Sequence, residues 1–322
     1  MTALAYQSAP PAGTPGAELW ATQAYEYARS SQAANTLRAY ASDLRDFEAF
    51  CDRGVFRSFP AEPLTVAMYV AELASRAKVS TIRRRLAAIA VQHRRAGLDS
   101  PASHRIVRDV VRGVARQNGV ATVRKDAVTL DTLRALVLAV EGDDVAARRD
   151  RAILLLGFGA ALRRSEIAAL HVEDLRFSKR GLIVHIRRSK TDQLGEGAEL
   201  AVPIVATPAL CAVRALRRYL DAAQFTSGPL FRSLTPKRRF TEHEIRGRDV
   251  AELVKRLAAR ARVDGDFSGH SLRAGFATSA AAAKVSLDAI ARTTRHKSLG
   301  VLLTYVRPAQ AFDDVALSAM IQ

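Results

Sequence analysis

From Ala17 to about Asn118 apolar residues recur at steps of three and four, and no alternating apolar and polar run competes with them. A stretch of that length with only this period folds as a helical unit. From Asn35 onward, Leu37, Tyr40, Leu44, Phe47 and Phe50 form one apolar stripe, with Asn35 placed to cap the helix. After Ser80, Ile82, Leu86, Ile89 and Ala90 form another. Breaks at Arg53-Gly54, Phe59-Pro60 and Asp99-Ser100-Pro101 separate successive helices.

The helical period fades in QNGVATVRKDA, Gln117 to Ala127, and a new helix start follows at Thr129 to Thr132. This predicts a flexible arm over 1–16, a helical domain over 17–118, a linker over 119–127 and a second domain over 128–322. At 322 residues both domains can bury a core. The second domain is mixed. Helices are predicted near Leu130 to Ala139 and Ala146 to Phe158. GLIVHIRR and ELAVPI then read as a β-hairpin with Lys190 near its turn, and helices follow from about Pro208 to the end. The fold class expected is mainly α with a small antiparallel β-sheet.

Lys and Arg number 49 against 32 Asp and Glu, a formal charge of +17, while 48% of residues are hydrophobic. A folded protein so basic has an anionic partner, be it nucleic acid, acidic lipid or an acidic protein, and a polyphosphate is attracted most strongly because its condensed counterions are released. The Ala-rich, Lys-poor composition shows that coding bias accounts for part of the excess, so charge alone names no reaction. Thr81, Arg83, Arg84, Arg85, Arg94 and Arg95 share one predicted helix. A solvated face and a face laid on phosphates fit them equally. The stretch from Pro236 to Arg248, with Lys237, Arg238, Arg239 and Arg246, is a second basic candidate leading into a helix.

Cys51 and Cys211 have no metal-ligand spacing and apolar neighbours, as expected of buried free thiols in a reducing cytoplasm. No secretory pattern opens the chain and no apolar run approaches a membrane span. Neither paired carboxylates nor a His/Cys set suggests a metal, and no cofactor is expected.

Three segments carry candidate chemistry. In GFGAALRRSEIAAL, Arg163 and Glu166 stand at i and i+3, the spacing of an intrahelical ion pair. In SGHSLRAGFATSAA, His270 and Arg273 take the same spacing, and Gly275 permits close backbone approach. In ARTTRHKSLGVLLTYVRP, His296 precedes Tyr305 by nine positions across a short apolar helix. Singly, each is ordinary: a tyrosine in an apolar helix is usually a core residue, and a lone histidine is usually structural.

Taken in order, Arg, Lys, His-x-x-Arg, His and Tyr resemble the tyrosine recombinases, or phage integrases, with their Cre-like and Xer-like members. ALRRSEIAAL resembles the first arginine box, RRSKT the hairpin lysine, GHSLRAGFATSAA the His-x-x-Arg box and RHKSLGVLLTYV the histidine-to-tyrosine box. TLRAYASDLRDFEAF and STIRRRLAAIAVQHRRAGLDSP resemble the helical SAM-like core-binding domain that precedes an α+β catalytic domain. Two positions depart from the pattern: Arg295 stands where glycine usually precedes the histidine, and Arg164 follows Arg163 where an apolar residue is common.

The resemblance implies site-specific cleavage and rejoining of double-stranded DNA, without metal or ATP. Tyr305 would attack phosphorus and form a 3′-phosphotyrosine, while Arg163 and Arg273 grip the phosphate with His296 as a further donor. His270 would accept the phenol proton, Lys190 would protonate the leaving 5′ oxygen, and Glu166 would orient the arginine and histidine groups. It further implies a homotetramer on two sites. The tail bearing Phe312, Val315, Ala316, Ala319 and Met320 would dock on a neighbouring subunit or pack on its own. A catalytically silent DNA-binding relative and a type IB topoisomerase-like activity are the competing readings. The DNA site and any accessory protein are not legible.

Overall fold

The computed structural model describes residues 17–30, 34–120, 125–187, 197–296 and 298–306. Lys190 and the tail after Val306 lie outside the described residues. The chain divides into two compact units between Val123 and Arg124. Residues 125 and 126, within the predicted linker, are tied to the second unit: Asp126 N donates to Asp266 O, and Lys125 pairs with the Asp266 carboxylate.

The first unit is helical: α1 (Ala17–Ser30), α2 (Ala34–Gly54), α3 (Pro63–Leu73), α4 (Val79–Arg95) and α5 (Arg105–Asn118). Its core gathers Leu44, Phe47 and Cys51 from α2, Val66, Tyr69, Val70 and Leu73 from α3, and Ile82, Leu86 and Ile89 from α4. These are the stripes that the sequence spacing marks out, since positions three and four apart share a helix face. Asn35 differs from expectation. It is the second residue of α2, and its side-chain oxygen accepts from Arg38 at 2.7 Å.

The core also encloses polar groups, of which His93 and Tyr69 are hydrogen-bonded. His93 is buried, accepts from Ala61 N through Nε2 at 2.9 Å and faces Ile89 O through Nδ1 at 2.8 Å, and burial lowers its basicity. Tyr69 donates to Asp46 at 2.7 Å.

The second unit begins with α6 (Leu130–Leu138), capped by Thr129, whose hydroxyl accepts from Thr132 N. The long apolar α7 (Val145–Gly159) follows, with a continuous buried run from Ala152 to Gly157. After the short α8 (Arg164–Ala168) comes an antiparallel sheet in the order β1 (Leu175–Phe177), β2 (Gly181–Ile186), β3 (Ala198–Pro203). The β2–β3 hairpin is the one read from sequence. Leu182 faces Val202 and Val184 faces Leu200 in its register, and all four join the α7 and α9 (Ala212–Ala223) core.

A second hairpin, β4 (Arg232–Leu234) with β5 (Phe240–Glu244), interrupts the region expected to be wholly helical. The basic stretch from Pro236 to Arg248 is therefore a turn, a strand and the entry to α10 (Gly247–Arg260). The last described elements are α11 (Ser271–Ala282), α12 (Leu287–Thr294) and α13 (Leu299–Val306), packed around Ala277, Ala281, Ile290, Leu302 and Val306. Cys51 and Cys211 are buried and unpaired, and no described helix is long and apolar enough to cross a membrane.

Candidate active site

The buried helix α7 leaves through a tight exit. Ala161 takes φ +46° and Leu162 N donates to Gly157 O at 2.9 Å. This delivers Arg163, in extended backbone, to the N-cap of α8. Glu166 folds back on it: Oε2 accepts from Arg163 N at 2.8 Å and Oε1 from Arg163 Nη1 at 2.7 Å. The i, i+3 spacing thus works as a cap that also fixes the guanidinium. The neighbouring Arg164 is exposed and lies over Gly269, where a Cβ would meet its Cδ at 2.7 Å. Of the two arginines, Arg163 turns inward, with its side chain 12% exposed.

Helix α11 brings the next pair. His270 is its exposed N-cap and Arg273, one turn on, is buried. Arg273 Nη1 donates to Ala161 O at 2.9 Å, so the strained α7 exit is also its anchor. Its Nε and Nη2 have no partner among the described residues. Burial, then the nearby Arg163, brings the Arg273 guanidinium down to about 9, still cationic at neutral pH. Gly275 sets the helix's height: a Cβ there would lie 1.7 Å from Val128 O. Val128 N donates to Ser271 O at 2.9 Å on the same contact.

The third segment closes over these groups. Thr294 is buried and donates to Ile290 O at 2.7 Å, which spends its one proton, so its hydroxyl accepts from His296 Nδ1 at 2.7 Å. The network thereby assigns the proton of neutral His296 to Nδ1 and leaves Nε2 with its lone pair. Burial, then the charges of Arg273 and Arg163, push the imidazole down to about 4. The expected donor is thus a neutral acceptor in the unliganded protein, because burial and then the surrounding cations disfavour its charged form before any anion arrives.

From α13, the Tyr305 hydroxyl reaches within 3.3 Å of His270 Nε2 in the same chain, and its ring lies 5.8 Å from that of His296. Thr278 on α11 donates to Tyr305 O at 3.3 Å and holds that turn of α13.

One participant was flagged in the sequence only as a departure. Arg295 takes the left-handed conformation, φ +53° and ψ +44°, at the end of α12, which is the geometry glycine favours. Its Nη2 donates to Glu166 Oε2 at 2.7 Å. Burial raises the Glu166 carboxyl, but Arg295 and the Arg163 contacts outweigh it and hold the group ionised below the usual carboxylate range. One carboxylate therefore stands among three guanidinia, a pocket with surplus positive charge suited to an anion. Among the described residues no cluster of three or more His, Cys, Asp or Glu is arranged to hold a metal ion.

The basic candidates elsewhere divide. On α4, Arg83 and Arg94 are exposed and lie three turns apart on one side. Thr81 and Arg95 are half-buried. Arg84 pairs with buried Asp43 at 3.1 Å, and Arg85 is enclosed between Asp43, Asp46 and Tyr69 with its side chain 15% exposed. Arg85 is thus an internal group, because α2 presents two carboxylates to it. In the second unit Lys237, Arg239 and Arg246 are exposed, and Arg238 pairs with Asp144 at 3.0 Å.

Known protein families match segments of both units. Residues 126–311 match the Phage integrase family, and residues 24–96 match the Phage integrase N-terminal SAM-like domain. An integrase/recombinase XerD homolog of Selenomonas ruminantium is 38% identical over 294 residues, covering 90% of this chain and 86% of that one. The Cre recombinase of Escherichia phage P1 is 27% identical over 303 residues, covering 87% and 85%. In fold, the chain is similar to XerH site-specific recombinase bound to a palindromic difH substrate, with TM-score 0.64 at 15% identity over 88% of this chain and 78% of that one. A lambda integrase dimer bound to a COC′ core site gives TM-score 0.60 at 14% identity over 90% and 76%. With a helical unit, a mixed unit bearing Arg163, His270, Arg273, His296 and Tyr305, and these matches across both, the chain belongs to the phage integrase family of tyrosine recombinases.

Proposed function

We propose that the protein cleaves and rejoins double-stranded DNA at a specific site through a covalent 3′-phosphotyrosine on Tyr305, without metal or ATP. The observation that carries this reading is the Tyr305 hydroxyl 3.3 Å from His270 Nε2, beside the Arg163 and Arg273 guanidinia. An in-line attack needs a deprotonated nucleophile, neutralised phosphate oxygens and a protonated leaving group. A phenol must lose its proton to attack, and His270 is within reach to accept it.

The Tyr305 oxygen bonds to phosphorus as the bond to the 5′ oxygen breaks. The phenol proton passes to His270, and Lys190, whose position lies outside the described residues, supplies one to the leaving oxygen. Arg163 and Arg273 hold the non-bridging oxygens through planar forks. An arriving phosphate also offsets the cations that, after burial, lower the basicity of His296, and so favours its protonated, donor form as DNA binds. The phosphodiester energy is kept in the tyrosyl bond, so rejoining needs no nucleotide.

DNA-bound recombinases among the similar folds support duplex DNA as the partner, with Arg83, Arg94, Lys237, Arg239 and Arg246 as phosphate contacts. Tetramer assembly on two sites, with the tail bridging subunits, completes the reading. The test is cleavage of a site selected from genomic fragments, run in EDTA. Wild type gives a covalent protein–DNA adduct, and Tyr305→Phe binds the site with none. An adduct of normal yield from Tyr305→Phe, or strict magnesium dependence, refutes the proposal.

A further inference from the structure

Arg295 occupies left-handed backbone, which glycine enters freely and a residue with a side chain does not. Its side chain is nonetheless largely enclosed, 14% exposed, and spends one fork nitrogen on Glu166. Nε and Nη1 have no partner among the described residues. A charge buried at that cost is weak evidence for added stability and better evidence for a fixed arrangement.

The arrangement is specific. Glu166 Oε1 and Oε2 hold Arg163 by its guanidinium and its backbone N–H, and Oε2 also holds Arg295. Arg295 is joined directly to His296, and Tyr305 follows on the next helix. The carboxylate is thus a pivot between the α7–α8 exit, which supplies Arg163, and the segment that supplies His296 and Tyr305. Residues 166 and 295 are far apart in sequence and meet only here.

We propose that Arg295 is a positioning residue for the covalent step: anchored on Glu166, it ties the segment bearing His296 and Tyr305 to the arginine that holds the phosphate. This rests on the phosphoryl-transfer reading of the site. Loss of the tie lets the tyrosine segment drift relative to Arg163, and a misplacement on the order of 1 Å slows such chemistry about 100-fold. DNA affinity, which comes from many exposed cations, is left nearly intact.

Because the backbone here suits glycine, Arg295→Gly is a clean perturbation: it removes the guanidinium and relieves the conformation together. Arg295→Asn, also tolerated in left-handed backbone, is too short to reach Glu166 and serves if the glycine variant folds poorly. Arg295→Lys keeps a charge on a long stem. Adduct formation is followed in single turnover on the full-length protein, at saturating and half-saturating DNA, beside affinity and melting temperature. The expected result is an adduct rate at saturation about 10- to 100-fold lower for Gly and Asn, half-saturation within about threefold of wild type, and partial recovery in Lys. Rates within about twofold of wild type in both short variants overturn the role, as does a loss that appears entirely in affinity or melting temperature. A wild type that forms no adduct overturns the underlying reading instead, and is distinguished because there the reference protein fails too.

Discussion

Gly275→Ala is the smallest substitution that tests how the catalytic unit is held together. Its Cβ would lie 1.7 Å from Val128 O, 2.3 Å from Val128 C and 3.0 Å from Val128 Cα. All three are backbone atoms, so no rotamer change relieves the clash. Ordinary contact begins at 3.4 Å, so α11 and the strand of chain at Val128 must separate by roughly 1.7 Å (3.4 minus 1.7). The movement stretches the Val128 N to Ser271 O hydrogen bond, worth about 1 kcal/mol, and overpacking adds about 1 to 3 kcal/mol. The same helix carries His270 and Arg273, so its displacement moves the proton acceptor and one phosphate donor away from Tyr305. The expected outcome is a loss of about 2 to 4 kcal/mol in urea unfolding of the second unit and a fall in adduct rate on the order of 100-fold. An alanine variant as stable and as active as wild type would show that the close approach at Val128 does not set the position of α11.

Two further outcomes follow. Arg83→Ala should weaken DNA binding and lower the salt dependence by about one counterion, whereas Arg85→Ala, which strands Asp43 and Asp46, should lower the melting temperature; salt-titrated binding and calorimetry distinguish them, and equal effects on salt slope would contradict the division. In the free protein the His296 ring should titrate near pH 4 by NMR, and Arg273→Gln should raise that midpoint by removing a repelling cation, whereas a wild-type midpoint near 6.5 would contradict the assignment. Since its folded pKa is depressed, His296 contributes to stability above about pH 6.5, and that contribution is lost as pH falls toward 4.

The helical unit and the β2–β3 hairpin were legible because their burial is periodic: Phe47, Ile82 and Leu86 repeat at helical steps, and Leu182 and Val184 alternate toward the core. Their environment dictates their spacing. The β4–β5 hairpin was not legible. Its strands are short, partly exposed and rich in charge, with a register shift between Arg232 and Leu234, so no alternation marks them. Ion pairing was hidden for a different reason. Arg85 reads as one more cation in a basic run until α2 presents Asp43 and Asp46 to it, and Arg295 reads as an anomaly until Glu166 is found beside it. Chemical order along the chain pointed to Arg163, His270, Arg273, His296 and Tyr305, which the structure brings together. The protonation of His296 depends on which hydroxyl and which cations surround it, and no local spacing encodes that.

Covalent catalysis by Tyr305 is decided by the chemical identity of the protein–DNA bond. Adduct trapped on a nicked site, digested with protease and nuclease, is sequenced by mass spectrometry. The expected result is one DNA-linked peptide, with Tyr305 esterified to a 3′ phosphate and a free 5′ hydroxyl on the released strand. A link at another residue, or through a 5′ phosphate, would contradict it.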